Sequence, residues 1–142
     1  MNMFISIALS AVFVGLAVWH FGMAFLPTSG ESGAVPSIDG KPLFVPSTGA
    51  TVGVGVALLL CAGLIAATPG LVSIGMPARV LRWFCYALSI GLLARAIGDF
   101  RYIGFFKHVR GGRFAQLDSF VYSPLCLLLA LGVAFVAYAD GT

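Results

Sequence analysis

The residues of this chain able to do acid–base or ion-pair chemistry gather in two places. His20 stands beside Trp19 near the end of the first apolar run, and the stretch from Leu93 to Leu129 carries Arg95, Asp99, Arg101, Lys107, Arg110, Arg113, Asp118 and Tyr122. That one stretch holds more than half of all the charged residues. Two kinds of chemistry follow from these types. A histidine oriented by Asp99 or Asp118, with Tyr122 as a hydrogen-bond donor, is an acid–base set for a lipophilic substrate. Arginines and a lysine interleaved with Phe105 and Phe106 suit an anionic or amphipathic ligand, with the cations taking the charge and the rings the apolar part. Arg95 and Asp99, four residues apart, share a helix face and are expected to pair. For His20 a packing role or a structural hydrogen bond competes with proton transfer.

These residues need elements to hold them, and composition says which. Of 142 residues, 60% are hydrophobic and only 9% charged, against about a quarter charged in a soluble domain. The chain reads as an integral membrane protein. A bilayer core about 30 Å thick takes about 20 apolar residues per helix, so the length accommodates four spans and one sizeable loop. The expected fold is all-α: a single transmembrane domain over residues 1–142, a four-helix bundle with helices at about 3–26, 52–68, 79–98 and 119–139.

The first run, Met3 to Leu26, has neither a cationic start nor a small-residue cleavage site, and is expected to remain as a helix ending before Pro27. Loop one contains VPSIDGKPLFVP, where Asp39-Gly40 predicts a turn between two short extended segments, a small hairpin or ordered lid. Its prolines confine any strand to edge pairing. The second run, Val52 to Thr68, is scaffold: Gly53, Ala57, Ala62 and Ala66 permit close helix contact, and nothing but Cys61 can ionise. In the third, Arg79 to Gly98, Arg79 and Arg82 lie in the first turn and snorkel to the near surface.

Loop three mixes Phe100, Tyr102, Phe105, Phe106 and Phe114 with basic residues, the composition of a segment lying in the membrane interface. Gly111-Gly112 turns it back toward the last span. There, Ser123-Pro124 reads as a helix N-cap followed by proline at the first helical position. A helix starting at that point is about 24 Å long, short of the core thickness. Asp118 to Tyr122 is therefore expected to be a kinked or re-entrant extension above a cavity.

Composition also excludes. Cys61, Cys85 and Cys126 occupy three different apolar runs with no CxxC pair, so they read as packing residues rather than redox or metal centres. No metal, haem or nucleotide cofactor is expected: no paired histidine ligands are present, and Gly53-Val54-Gly55 lies inside an apolar run rather than after a strand. A net charge of +3 is too small and too local for nucleic acid, and suits lipid head groups or a small anion. With four spans, loops one and three share one side with His20 and the charged stretch, while the other side carries Arg79 and Arg82. The excess of Lys41, Arg101, Lys107, Arg110 and Arg113 puts loops one and three in the cytoplasm.

Around WHFGMAF, through VPSIDGKPLFVP, and above all along RAIGDFRYIGFFKHVRGGRFAQLDSFVYSPLC, the sequence resembles a bacterial family of small four-helix membrane proteins known as a domain of unknown function. The resemblance covers nearly the whole chain. It implies a four-helix protein of the inner membrane and brings no activity, so no catalytic residues carry over. Four spans and an arginine-rich loop before the last also resemble the membrane-associated eicosanoid and glutathione metabolism family. That family has charged and amide residues in its second helix, where this chain is wholly apolar.

Three functions remain open on these grounds. The first is a non-enzymatic protein holding a small amphipathic or anionic ligand, or a lipid head group, under loops one and three, with Trp19, His20, Arg95, Asp99, Arg101, Lys107, Arg110, Arg113 and Tyr122 around it. The second is an enzyme on a lipophilic substrate using His20, Asp99, Asp118 and Tyr122. The third is an accessory subunit whose small-residue helix two packs against a larger membrane complex; membrane lipids and a homo-oligomer are the other partners expected.

Overall fold

The structure, a computed structural model, describes residues 2–26, 34–38 and 41–141. Four stretches are long and apolar enough to cross a membrane: Met3–Phe25, Thr48–Ala67, Ala78–Ile97 and Arg113–Ala139. Phe4, Leu60, Ile90 and Phe120 stand out from them almost uncovered. Such a surface is matched by hydrocarbon rather than by water. The chain is a multi-pass membrane protein built as an all-α four-helix bundle.

Its elements are α1 (Asn2–Phe25), β1 (Ser37–Ile38), β2 (Lys41–Pro42), α2 (Thr48–Ala67), α3 (Ala78–Ile97), α4 (Arg113–Leu117), a π-helical turn (Asp118–Tyr122) and α5 (Ser123–Ala139). The closest packing is α1 on α2 and α3 on α5, and the two pairs join through α1 on α5 and α2 on α3. Phe13, Ala62, Ile65, Cys85, Leu129, Val133 and Ala137 form the shared core. One serine ties each pair: Ser10 Oγ donates to the Ala62 carbonyl at 3.1 Å and Ser89 Oγ to the Ala130 carbonyl at 2.8 Å. Between helices in lipid such bonds contribute about 0.6 kcal/mol each. Packing therefore supplies most of the cohesion. Cys85 is fully buried with its Sγ 3.2 Å from Thr68 Oγ1.

Two element ends differ from their sequence reading. Helix α2 begins at Thr48 rather than Val52, because Ser47 caps it: its Oγ accepts the Ala50 N–H at 3.1 Å. At the fourth span Ser123 is not an N-cap. The helix runs back through it to Arg113, so of the two forms expected, kinked or re-entrant, Asp118–Tyr122 takes the helical one, an irregular widened turn within a continuous helix. Pro124 supplies the reason. It has no N–H for the Phe120 carbonyl and its ring crowds that oxygen, so the turn before it opens until the Ser123 N–H reaches back five residues to the Asp118 carbonyl.

In loop one the short strands pair antiparallel, Ser37 with Pro42 and Ile38 with Lys41, and the Leu43 N–H donates to the Pro36 carbonyl at 2.9 Å. The Asp39-Gly40 turn, like Pro27, lies outside the described residues.

Candidate functional site

The site is built around Asp118, the first residue of the π turn and fully buried. Widening the helix at this point brings one carboxylate under loop three. Its Oδ1 accepts from Arg95 Nη2 at 2.8 Å. Its Oδ2 accepts from the Gly104 N–H at 2.7 Å and from Lys107 Nζ at 3.0 Å. Lys107 completes its coordination with the Gly104 carbonyl at 3.0 Å and Ser119 Oγ at 2.7 Å. All three ammonium donors are thus used, which is what a buried lysine requires.

The expected pairing of Arg95 with Asp99 does not form. Gly98 leaves α3 with φ +92°, so the chain departs from the helix path before Asp99 and the shared face is lost. Arg95 crosses instead to Asp118 on the neighbouring helix. Lys107, placed by the sequence among the ligand-facing cations, is 2% exposed and belongs to the protein's own interior.

Freed from Arg95, Asp99 folds the start of loop three. Its Oδ1 accepts the N–H groups of Arg101, Tyr102 and Ile103 at 2.9, 2.7 and 2.9 Å. The Ile103 N–H, with those of Tyr102 and Arg101, holds its carboxyl below the usual aspartate value. Because these donors favour the charged form, the loop gains from Asp99 above the ordinary carboxylate range, about pH 4. That gain is lost as pH falls through the lowered value. Hydrogen-exchange protection factors at the amides of Arg101, Tyr102 and Ile103, taken relative to the intrinsic rate at each pH, are expected to hold through the ordinary range and to fall only below it. In Asp99→Asn the same amides should show no such transition.

Two glycines make the crossing possible. A side chain on Gly98 would run into the Ile103 carbonyl and Gly104, and one on Gly104 into the Ile97 carbonyl and Gly98. The Phe105 N–H donates to the Ala96 carbonyl at 2.9 Å, closing loop three onto the end of α3. Farther along, the Val109 N–H donates to the Arg101 carbonyl at 3.0 Å, and His108 Nδ1 meets the Phe100 carbonyl.

The remaining sequence candidates divide by exposure. Arg101, Arg110 and Arg113 lie on the outer surface of this end, beside exposed Phe100, Phe105 and Phe106. The Arg101 guanidinium sits 5.1 Å from the centre of the Tyr102 ring, and Arg110 Nε donates to the Lys107 carbonyl at 3.3 Å. Tyr122 is half-buried, its ring 6.0 Å from that of Phe114. Trp19 is 67% exposed on α1.

His20 Nδ1 is 2.7 Å from the Leu16 carbonyl of its own helix, while the carboxylates of Asp99 and Asp118 are committed to loop three. Because the Leu16 carbonyl can only accept, His20 Nδ1 is the donor in this contact. Among the described residues no group of three or more His, Cys, Asp or Glu side chains is placed to hold a metal ion.

Electrostatically the cluster is unbalanced. Two cations, Arg95 and Lys107, converge on one carboxylate, and Arg95 Nη1 is buried without a partner among the described residues. Sequence reasoning placed Arg95 and Asp118 at the correct end. It missed Gly104, Lys107 and Ser119 as parts of the same network; the one available signal was that Asp118 is the only acidic residue in the fourth apolar run before Asp140.

No curated protein matches the chain and no solved structure does. Residues 13–134 match the family described as protein of unknown function (DUF3995), a stretch running from the core of α1 through the whole Asp118 network and most of α5. The chain therefore belongs to the DUF3995 family of membrane proteins.

Proposed function

We propose that this protein is a non-enzymatic component of a bacterial inner membrane that holds an anionic amphipathic ligand, a lipid head group or a molecule like one, at the end formed by loops one and three. The observation that carries the reading is the charge mismatch at Asp118: two cations on one carboxylate, with Arg95 Nη1 covered and without a hydrogen-bond partner among the described residues. The Arg95 side chain is one-third exposed, so the surplus positive charge lies at the rim of the cluster, where an anion can approach and offset it. Arg101, Arg110 and Arg113 extend the positive field to the surface, and Phe105 and Phe106 offer apolar contact beside them.

The acid–base reading draws less support. It requires a carboxylate to orient His20, and those of Asp99 and Asp118 are occupied elsewhere. The subunit reading keeps one favourable feature, a face of α2 along Gly49, Gly53, Ala57 and Gly63 that is exposed and matches the small-residue spacing of helix contacts in membranes. For orientation, Lys107 is withdrawn from the surface count because it is internally paired. Lys41, Arg101, Arg110 and Arg113 still outnumber Arg79 and Arg82, which supports a cytoplasmic placement of loops one and three.

The test is native mass spectrometry of protein extracted in mild detergent with its own lipids. Wild type is expected to carry a discrete bound anionic species. Arg110→Glu with Arg113→Glu should lower its retention about tenfold or more, since each reversal converts a charge-assisted contact into repulsion. Unchanged retention would sink the proposal, and a co-purifying protein mass would move the weight to the subunit reading.

A further inference from the structure

The opposite end of the bundle also offers a place for a ligand. The first turn of α3 and the last turn of α5 meet there to form an open groove of about 350 Å³, within the size range of small-molecule sites. Arg79, Arg82, Trp83, Tyr86 and Tyr138 line it together with buried Ala137. Trp83 and Tyr86 pack edge to face, ring centres 6.1 Å apart.

Charge decides what would enter. Neither arginine is in an ion pair among the described residues, and Asp140, the acidic residue of this end, pairs with neither within them. Arg82 leans over the end of α5, where a side chain at Gly141 would meet its guanidinium. The last carbonyls of α5 give that guanidinium a partial negative neighbour. Arg79 is exposed at the groove and forms no ion pair among the described residues. The start of α3 adds its own positive pole, since Pro77 precedes the helix and gives no side-chain cap.

Depth decides the source. The groove lies where two spans end, and three aromatic rings with indole and phenol groups flank it, the arrangement found at head-group level.

We infer that the Arg79–Arg82 groove binds the phosphodiester of an anionic phospholipid in the leaflet opposite to loop three. Both guanidinium groups reach the phosphate, while Trp83 and Tyr138 border the upper acyl chain. This site is independent of the Asp118 end.

Trp19 and Trp83 are the two tryptophans of the chain, so Trp19→Phe leaves Trp83 as a reporter within the groove. Delipidated Trp19→Phe protein in detergent is titrated with phosphatidylglycerol brominated on its acyl chains, and separately with the equally brominated phosphatidylcholine. Phosphatidylglycerol is expected to quench saturably and at about tenfold or more lower concentration than phosphatidylcholine. Arg79→Gln with Arg82→Gln should erase that preference. Arg79→Gln alone, an exposed substitution that touches no packing, should weaken it, and Arg110→Glu with Arg113→Glu should leave it intact. Equal quenching by the two lipids, or a preference that survives the arginine substitutions, overturns the inference. Loss of the preference on adding millimolar inorganic phosphate would assign the groove to a soluble anion and overturn it as well. Failure at Arg110 and Arg113 with success at Arg79 and Arg82 would separate this site from the one proposed at the other end.

Discussion

Asp118→Asn is expected to destabilise the folded protein by about 3–5 kcal/mol and to release loop three from the bundle. The substitution keeps the shape of the side chain and removes its charge. Arg95 and Lys107 then face each other's charge with no counter-ion, Lys107 in a position only 2% exposed. The amide brings a second problem. Asp118 receives three donors, from Arg95, Lys107 and the Gly104 N–H, whereas asparagine offers one oxygen and turns a donor of its own toward the rest. Thermal unfolding in detergent should show the loss. Trypsin should show where it falls, because Lys107 becomes a cleavable site once its ammonium leaves the interior. The double variant Asp118→Asn, Lys107→Met separates charge burial from shape: removing the stranded ammonium should restore a good part of the stability that Asp118→Asn loses. Lys107→Met alone should cost less than Asp118→Asn, since Asp118 keeps Arg95 and Gly104. If the melting temperature stays put and Lys107 resists trypsin in Asp118→Asn, the carboxylate is not what fastens loop three.

That expectation depends on a contact the sequence concealed. The four spans were legible because apolar length is a local property: about 20 residues of hydrocarbon-compatible side chain mean a crossing whatever the rest of the chain does. The end of the bundle carrying the polar cluster was legible for the same reason, since alternating spans assign each loop to a side. Partner choice was not. Arg95 and Asp99 satisfy helical spacing, but the spacing matters only if the helix continues, and Gly98 takes a positive φ that no sequence rule requires at that position. Lys107 reads as one more cation among Arg101, Arg110 and Arg113. Its burial follows from the path of loop three between two glycines, a tertiary property. Ser123-Pro124 carried a true signal with two structural solutions. Proline can start a helix or widen one, and here the helix continues N-terminal to it through a widened turn. Ser47 is the reverse case. Counting hydrophobic residues from Val52 passed over Ser47, whose side chain caps the helix four residues earlier.

Gly104→Ala should damage the same site by a different route, at about 3–8 kcal/mol. The residue has φ +91°, where an L side chain is strained by about 1–2 kcal/mol before any contact is considered. Its methyl would then meet the Ile97 carbonyl and Gly98, both backbone, so no rotamer change relieves the clash. The loop must lift. Lifting it separates the Gly104 N–H from Asp118 Oδ2, now 2.7 Å away, and the Gly104 carbonyl from Lys107 Nζ, now 3.0 Å away. Each buried polar group left unpaired adds about 1–3 kcal/mol. Gly111→Ala is the natural control, because a side chain there meets nothing within 4 Å, and it should unfold at the wild-type temperature. The two routes to damage predict different rescue. Lys107→Met restores Asp118→Asn by removing an unpaired charge, but it cannot restore Gly104→Ala, where the backbone crossing itself has failed. Melting temperatures of the four proteins, Gly104→Ala and Asp118→Asn each with and without Lys107→Met, therefore distinguish a loop held by charge from a loop held by the close approach of two glycines. Rescue of both by Lys107→Met would mean that the crossing of Gly98 and Gly104 follows from the ion cluster rather than permitting it.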